Sequence, residues 1–475
     1  VQRDPSKPVT TLTEAIERSY WTSPQLLAER ARTRSADFRL PQARGQYGPQ
    51  LQYSGTYGYQ HDLFEQSIGK PLERAGWTST ATAVLSMPLF TFGRLRANED
   101  VARGQIAFRR MALAAMEQQT LLEAINAYAA VLRDRAAVTI ALDNVTLLQR
   151  EFSDSQARLA ARDTTISDVQ QVQTRLELAQ AQLTASRGAA ASSDAFFLRA
   201  VGAPAGDLSS PNPLILPVRT LEDAYVYADT NNPVVAAAYA RERISRAELE
   251  LTRADLLPRV DLRGQGSFGT VSPYSDAQRR TELRGGITIS GTLDSGIRQA
   301  KIGEAAATSD VDWRLIDDAR RENRAELADA WNSWRSQDIA VGQLQAAVVA
   351  AEQAFEGALA QQRAGLRTTT EMLELARDLL QVRTNLNSAT TTAYLQQGRI
   401  LAALGALRQQ LLLPDAPTYD PGWHHQRVQN QADVPLLTPA IRALDSLTTR
   451  PRADRAVRDP AAPLGSAETD FASGY

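Results

Sequence analysis

Arg363-Ala-Gly-Leu-Arg-Thr-Thr-Thr-Glu-Met-Leu-Glu374 and its upstream counterpart Leu159-Ala-Ala-Arg-Asp-Thr-Thr-Ile-Ser-Asp-Val169 each break a very long helical pattern with a polar, β-branched turn, then resume it with a carboxylate. Read this way, the two stretches are the tips of two helical hairpins. The returning arms carry apolar or small residues at 3/4 spacing. These are Val169, Val172, Leu176, Ala179 and Leu183 in one, and Met372, Leu375, Leu379, Val382 and Leu386 in the other. The first outgoing arm shows the same spacing at Val138, Leu142, Val145 and Phe152. So narrow a stripe predicts a coiled-coil seam rather than the broad apolar face of a globular helix. Between Gly93 or Gly296 and its tip the helical pattern lasts about 65 residues, roughly 100 Å at 1.5 Å per residue.

The two tips belong to a duplication of the whole chain. Leu12-Thr-Glu-Ala15 recurs as Leu221-Glu-Asp-Ala224, Ser23-Pro24 as Asn232-Pro233, and Tyr47-Gly-Pro49 as Leu256-Leu-Pro258, all at an offset of 209. Gly93 and Gly296, Asp168 and Glu371, and Val201-Gly202 and Leu404-Gly405 are instead 203 apart, which puts a six-residue insertion between Pro49 and Gly93. The predicted organisation is a first repeat over 10–205, a Pro-rich linker over 206–220, a second repeat over 221–413 and an irregular tail over 414–475. Within each repeat an opening helix, about 12–41 in the first, precedes the strands. That helix and the returning arm together match the length of the outgoing one, so the shorter two are expected to stack end to end beside it.

The period then changes to two. Leu51, Tyr53, Tyr57 and Tyr59 alternate with Gln50, Gln52, Ser54 and Thr56. This predicts a strand with one apolar face, then a loop holding His61, Gly69, Pro71 and Gly76, and a second strand over Thr80–Leu89. The second repeat gives Val260, Leu262 and Phe268, a loop around Pro273, and Leu283, Ile287, Ile289 and Leu293. Such strands are long enough to cross a bilayer obliquely, for which ~9–11 residues suffice. Four strands cannot close a barrel in lipid, so copies must associate. Two copies make eight strands, a size that side chains fill, whereas three make twelve and leave a lumen. Tyrosines and Trp77 would serve as interfacial aromatics.

Composition narrows the function. Among the 475 residues the net charge is -2, which gives no basic surface for nucleic acid. No cysteine is present, which excludes disulfides and thiol chemistry. No apolar run is long enough for a membrane-spanning helix, and no basic-then-apolar leader follows Val1, so any signal peptide is expected to have been removed. Gly264-Gln-Gly266-Ser-Phe-Gly269 fits the dinucleotide fingerprint formally, but a Pro-containing loop and a strand follow it rather than a helix. His61, His424 and His425 are the only histidines, too scattered for a catalytic constellation. Adventitious metal binding by the last two is the most they suggest. No catalytic residue, cofactor or resident metal is expected.

The duplicated Leu-x-x-Ala, Asn-Pro and Leu-Pro signals, Pro88-Leu-Phe-Thr-Phe-Gly93, and Gly365-x-x-Thr368-x-x-Glu371 make residues 10–413 resemble the TolC-like outer membrane efflux proteins. The resemblance implies a mainly α protein with a membrane β-barrel: a trimeric tunnel of twelve strands, four per protomer, continued by a long periplasmic α-helical barrel. It implies a passive exit duct in the cell outer membrane, for type I protein secretion or multidrug efflux. The duct would be opened by a periplasmic adaptor and an inner membrane ABC or proton-driven transporter. A soluble coiled-coil scaffold whose apparent strands are loops is the alternative.

Glu371 and Glu374 lie three apart at a helix start, which is ordinary helix N-terminal chemistry. In three copies around a pore they would also form rings of negative charge favouring cations. The resemblance matches them to entrance acids, here Glu in place of Asp. It matches Arg367 and Asp168 to residues that link neighbouring hairpins and hold the entrance closed, with Ser167 in place of a Thr. Arg162 and Gly365 fall at the adaptor-contacting tips. Gln362 stands where the family has a linking Tyr, and Arg162 where it has Gly. Weaker closure and an altered contact at the first tip are therefore expected.

Overall fold

The computed structural model describes residues 7–64, 69, 72–270, 279–294, 296–413 and 416–446. In chain order the elements are α1 (Leu12–Thr22), α2 (Pro24–Asp37), α3 (Arg39–Gly45), β1 (Gln50–Phe64), β2 (Leu72–Phe90), α4 (Arg94–Ala160) and α5 (Ile166–Val201). The second repeat gives α6 (Leu221–Asn231), α7 (Pro233–Ala254), β3 (Arg259–Thr270), β4 (Arg279–Ser290), α8 (Ile297–Arg363) and α9 (Thr369–Leu404). Short helices α10 (Gln409–Leu412), α11 (Pro421–Val428) and α12 (Leu437–Ser446) follow. The starts of α1 and α6 differ by 209, and both ends of α4 and α8, and of α5 and α9, by 203. The predicted opening helix of the first repeat is three helices. Ser23 breaks it before Pro24, which has no N–H to continue the ladder, and Phe38 breaks it again.

Two compact units emerge, and each draws on both repeats rather than following the repeat boundaries. The first comprises Val1–Ala31, Met111–Ala236 and Asp318–Tyr419. Its seam is built from Val172, Leu176, Ala179 and Leu183 of α5, Met372, Ala376 and Leu379 of α9, and Val145 and Leu148 of α4. Each buried Val, Leu or Met among them contributes roughly 1.5–3 kcal/mol relative to exposure. Leu142, expected in the seam, is exposed, and its neighbour Ala141 is buried instead. The breaks before α2 and α7 are pinned to the ends of the returning helices. Thr22 Oγ1 donates to Val201 O at 3.3 Å, and Asn232 Nδ2 donates to Ala403 O at 2.7 Å. Gly405 ends α9 at φ +76°, where an added Cβ would run into the Asn231 backbone.

The second unit comprises Arg32–Arg110, Ala237–Asp317 and Asp420–Tyr475. It holds one antiparallel sheet in the order β1-β2-β3-β4, so the apparent strands are strands and not loops. Register places Tyr53, Ala83, Gly266 and Leu283 in one row. By alternation, Leu51, Tyr57, Tyr59, Trp77, Ile287 and Ile289 share that apolar face. Gln52, Ser54, Thr82, Gln265 and Thr288 take the other. The apolar face is open, with Tyr53 87% and Leu283 82% exposed. Trp77 stacks on Tyr57 and meets Tyr59 edge-on. Gly269 of the fingerprint-like run lies within β3, where a side chain would strike the β2 backbone at Ser79 and Thr80. His61 and Gly76, expected in a loop, pair across the hairpin with Ala75 and Gln60, because the ladder continues past the residues that look like a turn. Pro71 and the loop around Pro273 lie outside the described residues, and Leu293 falls beyond the end of β4.

The tail is less irregular than expected, since α11 and α12 occupy much of 421–446. Pro421 reads as a breaker, yet it sits at the first helical position, where its missing N–H costs nothing, and Asp420 caps the helix by accepting from Gly422 N at 2.7 Å. The tail is held by buried charge. Glu99 Oε1 accepts from Arg44 Nε (3.0 Å), Arg103 Nη2 (2.8 Å) and Arg442 Nη2 (2.8 Å). Asp445 Oδ1 accepts from Thr91 N (2.9 Å), Thr91 Oγ1 (2.9 Å) and Gly93 N (3.0 Å), closing the turn between β2 and α4. At the equivalent turn of the second repeat Asp294 stands at the Thr91 position, and its own Oδ1 accepts from Gly296 N at 3.0 Å and Arg298 N at 3.3 Å.

Candidate functional site at the helical hairpin tips

Both tips are built by the same local chemistry. At the first, Arg162 N donates to Leu159 O (3.0 Å) and Asp163 N to Arg158 O (2.8 Å). At the second, Gly365 N donates to Gln362 O (3.0 Å) and Leu366 N to Gln361 O (2.9 Å). These paired bonds form a Schellman motif, which requires a left-handed residue just past the helix. Gly365 adopts it at φ +72° and Arg162, its counterpart, at φ +63°. A capping box then starts each returning helix, with Thr165 and Asp168 in α5 and Thr368 and Glu371 in α9. The Thr-x-x-Asp and Thr-x-x-Glu spacing carries this signal in the sequence.

Three of the latch and ring residues, Asp168, Arg367 and Glu371, have local partners within the chain. Asp168 Oδ2 accepts from Thr165 Oγ1 (2.8 Å), Thr164 Oγ1 (3.0 Å) and Thr165 N (3.2 Å). The Thr165 hydroxyl, then its backbone N–H and the Thr164 hydroxyl, hold this carboxyl below the usual range. Arg367 lies beside Glu371, with Nε 3.6 Å from Oε2, and not beside Asp168. Glu371 and Glu374 are both exposed on one helix face, and Ser167 and Arg162 are exposed as well. Ile166 and Leu366 present apolar side chains to solvent, 69% and 80% exposed.

Two links between arms were not anticipated. Gln362 is buried, and its Nε2 donates to Glu151 Oε2 at 3.4 Å, joining α8 to α4 within the chain. Burial pushes the Glu151 carboxyl above its ordinary range, and neighbouring Asp154 adds to this, while the Gln362 bond opposes it. Thr370 Oγ1 donates to Gln171 Oε1 at 3.0 Å, joining α9 to α5. The partners lie about two hundred residues apart, and no periodic pattern marks them.

Elsewhere, His424 and His425 both face buried Asp37, with Nδ1 at 2.9 and 3.5 Å from its two oxygens. Among the described residues no group of three or more His, Asp or Glu side chains is arranged to hold a metal ion, and no helix is long and apolar enough to cross a membrane.

The family model for outer membrane efflux proteins matches residues 15–203 and 224–406, one segment in each repeat. The chain is 25% identical over 428 residues to the outer membrane efflux protein BepC of Brucella suis biovar 1 (strain 1330), covering 89% of this chain and 91% of that one. It is 26% identical over 327 residues to the alkaline protease secretion protein AprF of Pseudomonas aeruginosa, covering 65% and 66% of the two chains. The fold matches the outer membrane protein VceC of Vibrio cholerae with a TM-score of 0.70 at 19% identity, over 83% of this chain and 96% of that one. With both repeats matched and the fold shared, the chain belongs to the outer membrane efflux protein family.

Proposed function

We propose that three copies of the chain form the passive exit duct of a tripartite export system in the outer membrane. The observation that carries this reading is the two-faced sheet, in which β1 and β4 each have one neighbour within the chain. In lipid every backbone N–H and C=O must be paired, so the edges of one copy must meet those of another. Twelve strands ~4.8 Å apart and tilted ~40° give a barrel radius of about 12 Å, against about 8 Å for eight strands. Only the larger leaves room for water beside the polar side chains of the inner face.

In this reading Glu371 and Glu374 form the entrance charge ring, and Arg367 and Asp168, with Ser167, hold the hairpins closed. Arg162 and Gly365 mark the tips that a periplasmic adaptor engages. An inner membrane transporter supplies the energy, since the duct performs no reaction. BepC is an efflux protein by name and AprF a protease secretion protein, so small molecules and polypeptides both stand as cargo classes.

Purification from an outer membrane fraction in detergent, followed by native mass spectrometry, should give a particle of three times 51.9 kDa that conducts in planar bilayers. A detergent-independent soluble monomer, or a dimer, would refute the reading. Multivalent cations added on the periplasmic side should block the current, and Glu371→Gln/Glu374→Gln should relieve that block. Equal block in the double variant removes both residues from the pore.

A further inference from the structure

The polar face of the sheet carries a charge imbalance confined to its second hairpin. By register, the charged residues of β3 and β4 on that face are Arg259, Asp261, Arg263, Arg280, Glu282 and Arg284. Asp261 pairs with Arg259 at 3.2 Å, and Glu282 contacts Arg284. Arg263 and Arg280 stand outside both pairs, and both are exposed. On the first hairpin Asp62 and Arg74 are partners in the backbone register, one residue of each formal sign. Among the described residues of β3 and β4 the net on this face is two positive charges. They are spread rather than clustered, because Arg280 pairs with Gly269, six residues along β3 from Arg263, or about 20 Å.

We infer that the β-barrel lumen is an anion-attracting sleeve: Arg263 and Arg280 give the duct a preference for anionic groups on its cargo, opposed to the cation preference of the carboxylates at the tips. The inference rests on the trimeric duct proposed above, in which the polar face lines the lumen. Guanidinium groups stay charged at every physiological pH, so the sleeve does not titrate. Low-dielectric walls around a narrow aqueous path focus the field of such charges on passing ions. A solute bearing both signs meets an attractive zone for each of them along the path.

Reversal potentials across a KCl gradient in planar bilayers test this with the full chain. Glu371→Gln/Glu374→Gln first removes the charge of the tips, and the chloride-to-potassium permeability ratio should rise. Adding Arg263→Gln/Arg280→Gln should then lower the ratio by roughly fourfold, the change expected when six charges ~10 Å from the axis are removed at a Debye length of ~10 Å. Both arginines are exposed, so their replacement leaves no buried gap. Conducting channels whose ratio is the same with and without the arginines would overturn the sleeve and leave the duct standing. A wild-type protein that forms no conducting trimer would overturn the duct, and the sleeve with it.

Discussion

Asp445→Ala should open the turn between β2 and α4 and release α12 while leaving the equivalent turn of the second repeat intact. Asp445 is fully buried, and one of its oxygens receives three hydrogen bonds, two of them from the backbone N–H groups of Thr91 and Gly93. Bonds to a charged acceptor contribute about 1.5–3 kcal/mol each and do not add. Removing one side of a buried charged contact typically costs about 3–5 kcal/mol, because the other groups are left desolvated. Such a loss corresponds to roughly two to three and a half orders of magnitude in local amide exchange. Hydrogen exchange by mass spectrometry on the detergent-solubilised protein should therefore show peptides covering Thr91–Gly93 and α12 exchanging faster together, with Gly296–Arg298 unchanged. Thr91→Asp in the same background installs the carboxylate that Asp294 supplies in the second repeat. It should recover about one order of magnitude at the turn, the usual value of a capping side chain, and nothing at α12. Unaltered exchange over Thr91–Gly93 in Asp445→Ala would refute the assignment of the tail as the missing cap.

Arg367→Ala should raise single-channel conductance and also strengthen multivalent-cation block, since the guanidinium sits 3.6 Å from Glu371 Oε2; unchanged conductance would sink its role as a latch. Glu151 holds its proton more tightly folded than unfolded, so packing of α4 on α8 near the tips should strengthen as pH falls from neutrality toward the ordinary glutamate range of about 4. Helical melting temperatures at pH 7 and pH 5 should differ less in Glu151→Gln than in the wild type, and an equal difference would place the titrating group elsewhere. Arg162→Gly should relieve about 1 kcal/mol of left-handed strain at the first tip. Limited proteolysis should then cut the 159–165 segment about fivefold more slowly, the rate ratio for that energy when opening precedes cleavage. Faster cutting would mean that the Arg162 side chain stabilises the turn.

The features that repeat along the chain were legible in it. Both ends of α4 and α8 fall at the offset read from Gly93 and Gly296, because each helix is started and stopped by local signals that the duplication copied. The strand faces followed from alternation alone, since Tyr53 and Leu283 need only a period of two to reach the same side. The illegible parts depend on single contacts between distant residues. Asp445 reaches Thr91 across 354 positions, and its only trace in the sequence is a Thr at 91 where the second repeat has Asp294. Gln362, read as standing in place of a linking Tyr, also has a buried partner within the chain, Glu151. At the tips, Asp168 and Glu371, expected to act between copies, are also engaged in capping within the chain. Their sequence signals for the two roles are the same residues at the same spacing.

The pairing of β2 with β3 across the two repeats bears on how the proposed barrel would be put together and how it would have come to exist. A single ancestral repeat offers one hairpin, so twelve strands would need six separate molecules and six seams formed between them. Joining two repeats in one chain makes every second seam intramolecular, with the Thr80–Phe90 stretch of β2 already zipped to Val260–Gly269 of β3. Three encounters then replace six, and the rate of ring closure depends far less steeply on how many copies are present in the membrane. Once the two halves travel together they are also free to differ. Arg162 stands at one tip where Gly365 stands at the other, and Thr91 borrows from the tail what Asp294 keeps for itself. In the proposed trimer, a sixfold ring thereby becomes a threefold one with two kinds of tip.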